Sequence, residues 1–168
     1  MTIFPIVVSI ICLLSAWKWG DWKKFEKHYP TLAYVTVGNL IYKVNALLNF
    51  HLWKVNDGGL LSHETIYFIY LLLIMIPAIF VYLSKFPETR IKKILYVFAW
   101  IVLFTVMEWI GMKYFNAFNH YHGWNIWWSL LFDSVMFPML RLHFVNYKLA
   151  LLLSIPCTLF MLIMFNYI

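Results

Sequence analysis

The chain has 168 residues, of which 64% are hydrophobic and only 12% charged, and its mean hydropathy is +0.77. A soluble domain carries about a quarter charged residues, so this balance excludes a water-soluble globular protein, and at about 20 residues per crossing six membrane spans use nearly the whole length. The formal charge of +6 does not point to nucleic acid, because Lys and Arg lie in short runs beside apolar segments, as in proteins seated on anionic lipid.

The first apolar run covers 3–17, with no Lys or Arg before it and several after it. A secretory signal has the opposite charge order, so the run reads as a retained span. Residues 18–29 mix aromatics with lysines, and Trp22, Phe25 and Tyr29 share a helical face. That pattern predicts an interfacial segment on the cytoplasmic leaflet, with Pro30 opening the second span. The second span, 31–53, holds Asn39, Lys43, Asn45 and Asn49, and a central Lys costs about 2.5 to 3.5 kcal/mol on insertion scales. Further apolar runs follow at 65–84, 94–112, 125–140 and 149–168.

Charge decides whether 31–53 crosses. If it does, Lys18, Lys23, Lys24, Lys27, Lys85, Arg90, Lys92, Lys93, Arg141 and Lys148 share one side, and only Lys54 and Lys113 lie on the other. If it does not, Lys18, Lys23, Lys24, Lys27, Lys43, Lys54 and Lys113 oppose the remaining six and the asymmetry vanishes. Cytoplasmic loops carry the excess of Lys and Arg. The expectation is an all-α polytopic transmembrane helical bundle, a single integral membrane domain over 1–168, with six spans and both termini non-cytoplasmic.

The polar residues inside these spans are the candidate site. Asn39, Tyr42, Lys43, Ala46, Asn49 and Trp53 fall within about one third of a helix circumference at about 100° per residue. Counted from the outer ends at about 1.5 Å per residue, Lys43 lies roughly 15 Å deep, Asp133 about 12 Å and Glu108 about 7 Å. A lone charge at such depth is expensive, so Lys43 is expected to pair with Asp133, with Glu108 in reach. The cluster of Asn39, Lys43, Asn49, Glu108 and Asp133 is either a clamp between helices or a proton or solute site entered from outside. Arg141 and His143, at the cytoplasmic end of the fifth span, are candidates for contact with an anionic headgroup or a partner.

His51, His63, His120 and His122 fall on the outer side and are the only candidates for a metal or haem site, but they lack ligand spacing such as HExxH. No cofactor is expected. Cys12 and Cys157 sit in apolar runs and read as inert thiols. Trp53, Trp109, Trp124, Trp127 and Trp128 on one boundary and Trp17, Trp19 and Trp22 on the other form aromatic belts, with room for an apolar ligand between the fourth and fifth spans. No Walker loop, GxSxG, Ser-x-x-Lys or Cys-x-x-Cys occurs, which argues against the common enzyme classes.

Gly20-Asp-Trp22, Tyr29-Pro-Thr31, Gly38-Asn-Leu-Ile-Tyr42, Gly123-Trp124, Trp128-Ser129, Asp133, Met136-Phe137 and Leu140-Arg-Leu-His143 together resemble the uncharacterised small multi-pass membrane proteins of spore-forming Firmicutes. The resemblance spans nearly the whole chain and is most specific from Gly123 to His143. It implies a bacterial plasma membrane or a spore membrane, and a shared pattern that includes Glu108, Asp133, Arg141 and His143; no activity comes with it. The function expected is that of a non-enzymatic bundle that self-associates or joins a membrane-protein partner in the bilayer. A small transporter or channel using the Lys/Glu/Asp cluster is the alternative, and a haem or metal protein using the outer histidines is the second.

Overall fold

The computed structural model describes residues 3–47, 51–56 and 63–166. Among these described residues six helices form: α1 (Ile3–Trp19), α2 (Phe25–Leu47), α3, α4 (Arg90–Phe115), α5 (Ile126–Val145) and α6 (Tyr147–Met164). Helix α3 runs through His63–Tyr70, a π turn at Leu71–Met75 and Ile76–Ser84. The π turn precedes Pro77, whose ring would clash with the carbonyl four residues back, so widening the helix there removes the conflict. Two short strands, β1 (Trp53–Val55) and β2 (Phe118–His120), pair antiparallel with Trp53 opposite His120 and Val55 opposite Phe118.

Helices α1 and α2 meet at a bend of 80°. Gly20 forms the corner, where a Cβ would collide with the Phe80 ring and the Ala16 carbonyl. Helix α2 begins at Phe25, so Pro30 lies inside it and does not open it. It is described as far as Leu47 and does not reach Trp53, which lies in the strand Trp53–Val55. Trp53 is held in the ribbon instead, because the Tyr42 hydroxyl accepts from the Leu52 and Trp53 amides and donates to the Trp53 carbonyl at 3.0–3.1 Å. The helical stripe expected to join Asn39 to Trp53 is thereby cut, and Asn49 lies outside the described residues.

The contacts that close each end set the direction of every helix. At the ribbon end Phe4 stacks on Phe115 at 4.9 Å, Trp53 meets Tyr70 at 5.9 Å and Trp124 packs on Phe165 at 5.3 Å. At the lysine end the Asp21 amide donates to Ser84 Oγ at 2.9 Å, and the His28 ring packs on Phe80 at 5.3 Å and on Phe144 at 5.0 Å. Hence α1, α3 and α5 run from the ribbon end to the lysine end, and α2, α4 and α6 return.

Among the described residues three helices are long and apolar enough to cross a membrane: Thr65–Ser84, Arg90–Phe115 and Tyr147–Met164. Among the described residues α1 and α2 meet that measure only as a bent pair, and α5 does not meet it, since Ser129, Asp133, Arg141 and His143 interrupt its apolar side chains. Most of the α3 span is buried, 67%, against 11% for α4 and 6% for α6, so α3 is the central rod. Around it pack Leu32 and Val35 of α2, Ile101 of α4 and Phe137 and Leu140 of α5. The outer surface is apolar, with Ile10, Leu14, Ile94, Phe98, Leu152 and Ile155 all more than half exposed. Such a surface is stable against acyl chains and not against water.

Candidate functional site

Helix α4 ends at Asn116, which takes a left-handed conformation (φ 48°), and the Ala117 amide bonds back to the Gly111 carbonyl at 2.9 Å. The chain therefore reverses onto its own helix. Gly111 permits this, since a Cβ there would come within 2.8 Å of Phe118 and 2.9 Å of Phe4. The reversal carries His120 back to Glu108, one turn below Gly111, and the two meet at 2.7 Å between Nε2 and Oε1.

Helix α5 starts from an Asn125 cap, whose Oδ1 accepts the Trp127 and Trp128 amides at 3.0 and 3.3 Å. This start places Ser129 in the first turn, where its hydroxyl donates to Glu108 Oε1 at 2.7 Å and accepts the Trp124 indole N–H at 2.9 Å. One turn further, Asp133 Oδ2 accepts from Thr105 Oγ1 at 3.1 Å. Glu108 with Ser129 and Thr105 with Asp133 are thus two successive rungs between antiparallel helices, fixed by the i,i+3 spacing on α4 and the i,i+4 spacing on α5. Ser129 and Asp133 are buried, so each hydroxyl–carboxylate bond stands in for lost water and counts for more than at a surface.

Lys43 does not join this ladder. It is 8% exposed, yet its ammonium lies 5.1 Å from the Tyr67 ring centre and forms no ion pair with Asp133 or Glu108. The reason is lateral: near the ribbon end α2 leans on α3, where Tyr67 donates to the Asn39 carbonyl at 2.7 Å, while Asp133 faces α4. The expected pairing of Lys43 with Asp133 is therefore corrected. Asn39 is also spent locally, its amide donating to the Val35 carbonyl at 3.0 Å.

At the lysine end His143 turns inward. It is 8% exposed, its Nδ1 lies 3.0 Å from Thr31 Oγ1, and its ring stacks on Tyr34 at 4.3 Å. Ser154 donates to the Ala150 carbonyl, so the Tyr34 hydroxyl is the donor in its 2.6 Å bond to Ser154. These contacts tie α2 to α5 and α6, which removes His143 from the headgroup contact expected of it. Arg141, at the same end, lies over the rings of Phe86 and Phe144.

Among the described residues no group of three His, Cys, Asp or Glu side chains is placed to hold a metal. His120 is taken by Glu108, and His122 Nδ1 donates to the His51 carbonyl at 2.9 Å. The His63 side chain lies outside the described residues. Partial burial, together with the charges of Lys54, His122 and Lys43, holds the His51 imidazole below the usual histidine range. On the outer face of the ladder, Thr105, Val106, Trp109, Ile126, Trp127 and Leu130 line an apolar groove of about 270 Å³, between the fourth and fifth helices.

Thr31, Tyr34, Thr105, Ser129 and Ser154 were not among the candidates from sequence. A signal for some of them was present, since Thr105 with Glu108 and Ser129 with Asp133 repeat a polar residue on one helical face within an apolar run. Comparison with known protein families, with curated proteins and with solved structures found no match, so the chemistry rests on the geometry alone.

Proposed function

We propose that this chain is a six-span plasma-membrane protein with non-cytoplasmic termini, whose role is that of a scaffold assembling with itself or with a membrane-protein partner. One observation carries the scaffold reading: several interior polar side chains are spent on one another between separate elements. Glu108 takes His120 and Ser129, Asp133 takes Thr105, His143 takes Thr31, and Tyr34 takes Ser154. In hydrocarbon such bonds act as glue between rods that have little hydrophobic reason to associate. Support for the orientation comes from the gathering of Lys and Arg at the end opposite the ribbon. The resemblance to Firmicutes membrane proteins agrees with this placement.

Topology is tested with single cysteines in a background lacking Cys12 and Cys157, probed on intact cells with an impermeant thiol reagent. Asn119→Cys is expected to label and Lys92→Cys only after permeabilisation; the reverse pattern, or labelling of both, refutes the orientation. Assembly is tested by mass in mild detergent. A lone chain of 20.2 kDa with no copurifying protein refutes the scaffold.

A second reading makes Glu108 and Asp133 a proton or small-solute site. It is favoured by two carboxyls on successive rungs between α4 and α5, neither of which is in an ion pair with Lys or Arg among the described residues. Proteoliposomes would separate the two: an acid-driven flux abolished by Asp133→Asn supports the site, and equal leak in both proteins rejects it.

A further inference from the structure

Arg141 lies near the end of α5 with its guanidinium carbon 4.2 Å from the centre of the Phe86 ring and 5.2 Å from that of Phe144. Lys27, on α2, places its ammonium 5.3 Å from the same Phe144 ring. Two cations from different helices are therefore gathered on one aromatic side chain. Neither makes a side-chain hydrogen bond or ion pair among the described residues. The acids of this end do not answer them: Asp21 is beside Lys24 at 3.6 Å, and Glu26 and Glu88 form no ion pair with either.

This arrangement leaves a deficit. Arg141 is only partly exposed, and a guanidinium carries five N–H donors in a planar fork that an aromatic face attracts but does not satisfy. What a bilayer supplies at the end of a span is phosphate oxygen, which accepts from the Arg fork in bidentate fashion and from Lys as a point charge. A guanidinium resting on a ring keeps its N–H edge free for that contact.

We infer that Arg141 and Lys27, held over Phe86 and Phe144, form a binding site for the phosphodiester headgroup of an anionic phospholipid in the leaflet at the lysine end. The Arg–Phe144 contact comes from one helix, but Phe86 and Lys27 are brought by two other segments, so the site exists only in the folded bundle. It draws on the scaffold reading only in placing the lysine end in a headgroup layer.

The test uses the purified full chain in mild detergent and native mass spectrometry with phosphatidylglycerol against phosphatidylcholine. Arg141→Gln is expected to weaken phosphatidylglycerol binding about tenfold, the loss of one charge-assisted contact. Lys27→Gln should lose less, Arg141→Lys should fall between, and Lys92→Gln, an exposed cation at the same end, should leave binding unchanged. Lys27 is exposed, so its variant still folds and decides the matter if Arg141→Gln does not. Equal losses for Arg141→Gln, Lys27→Gln and Lys92→Gln overturn the site in favour of a diffuse basic face. Competition by free glycerol phosphate as strong as that by the lipid overturns the lipid assignment. Detergent binding does not depend on orientation, so failure here and failure of the cysteine mapping are distinct results.

Discussion

Glu108 and His120 meet at 2.7 Å although the chain leaves α4, reverses and pairs with a distant strand between them. The pair clips the ribbon to the top of α4, and Ser129 extends the clip to α5 through the same carboxylate oxygen. Removing the carboxylate takes a partner from both His120 and Ser129, whereas removing the imidazole leaves the carboxylate its bond from Ser129.

Glu108→Ala is therefore expected to lower the melting temperature in detergent more than His120→Ala does. The double variant should be no worse than Glu108→Ala alone, with a coupling of about 1.5–3 kcal/mol if the bond is charge-assisted. Strictly additive melting shifts would refute the clip.

Lys43 and Asp133 occupy separate environments, one beside Tyr67 and the other beside Thr105. Asp133→Asn and Lys43→Met should then add within about 0.5 kcal/mol. Rescue of the first by the second, measured by thermal unfolding, would restore the ion pair that the geometry denies.

His143→Phe keeps the stack on Tyr34 but leaves the Thr31 hydroxyl, 1% exposed, without its partner. The expected cost is about 1–3 kcal/mol. Adding Thr31→Val should recover part of it, because removing both polar partners costs less than stranding one. A double variant less stable than His143→Phe would show that Thr31 has another use.

His51 titrates below the usual histidine value of 6.5, because burial and the neighbouring Lys54, His122 and Lys43 disfavour its charged form. Its contribution to stability is thus complete above 6.5 and is lost as pH falls through the lower folded value. The ribbon should open on acidification, seen as faster hydrogen exchange of the Tyr121 amide, which donates to the Leu52 carbonyl at 2.8 Å. Exchange that stays protected in His51→Gln but not in the parent chain would confirm the source, and identical profiles would exclude it.

Composition and periodicity alone determined that the chain is an all-α bundle with an apolar exterior, roughly where its helices lie, and which end gathers Lys and Arg. These follow from local rules: an apolar run needs internal hydrogen bonding in lipid, and a helix rises by a constant step. Position along each helix also brought Glu108 and Asp133 into one group, and the structure places them on successive rungs. Partner choice was not legible, because depth is one coordinate and two side chains at the same level can point to different neighbours. Lys43 leans on α3 while Asp133 faces α4, and no count along either helix contains that angle. The same limit hid the inward turn of His143 and the return of His120 to Glu108. Only the packing of the helices around α3, together with the reversal at Asn116, decided which polar groups share a bond.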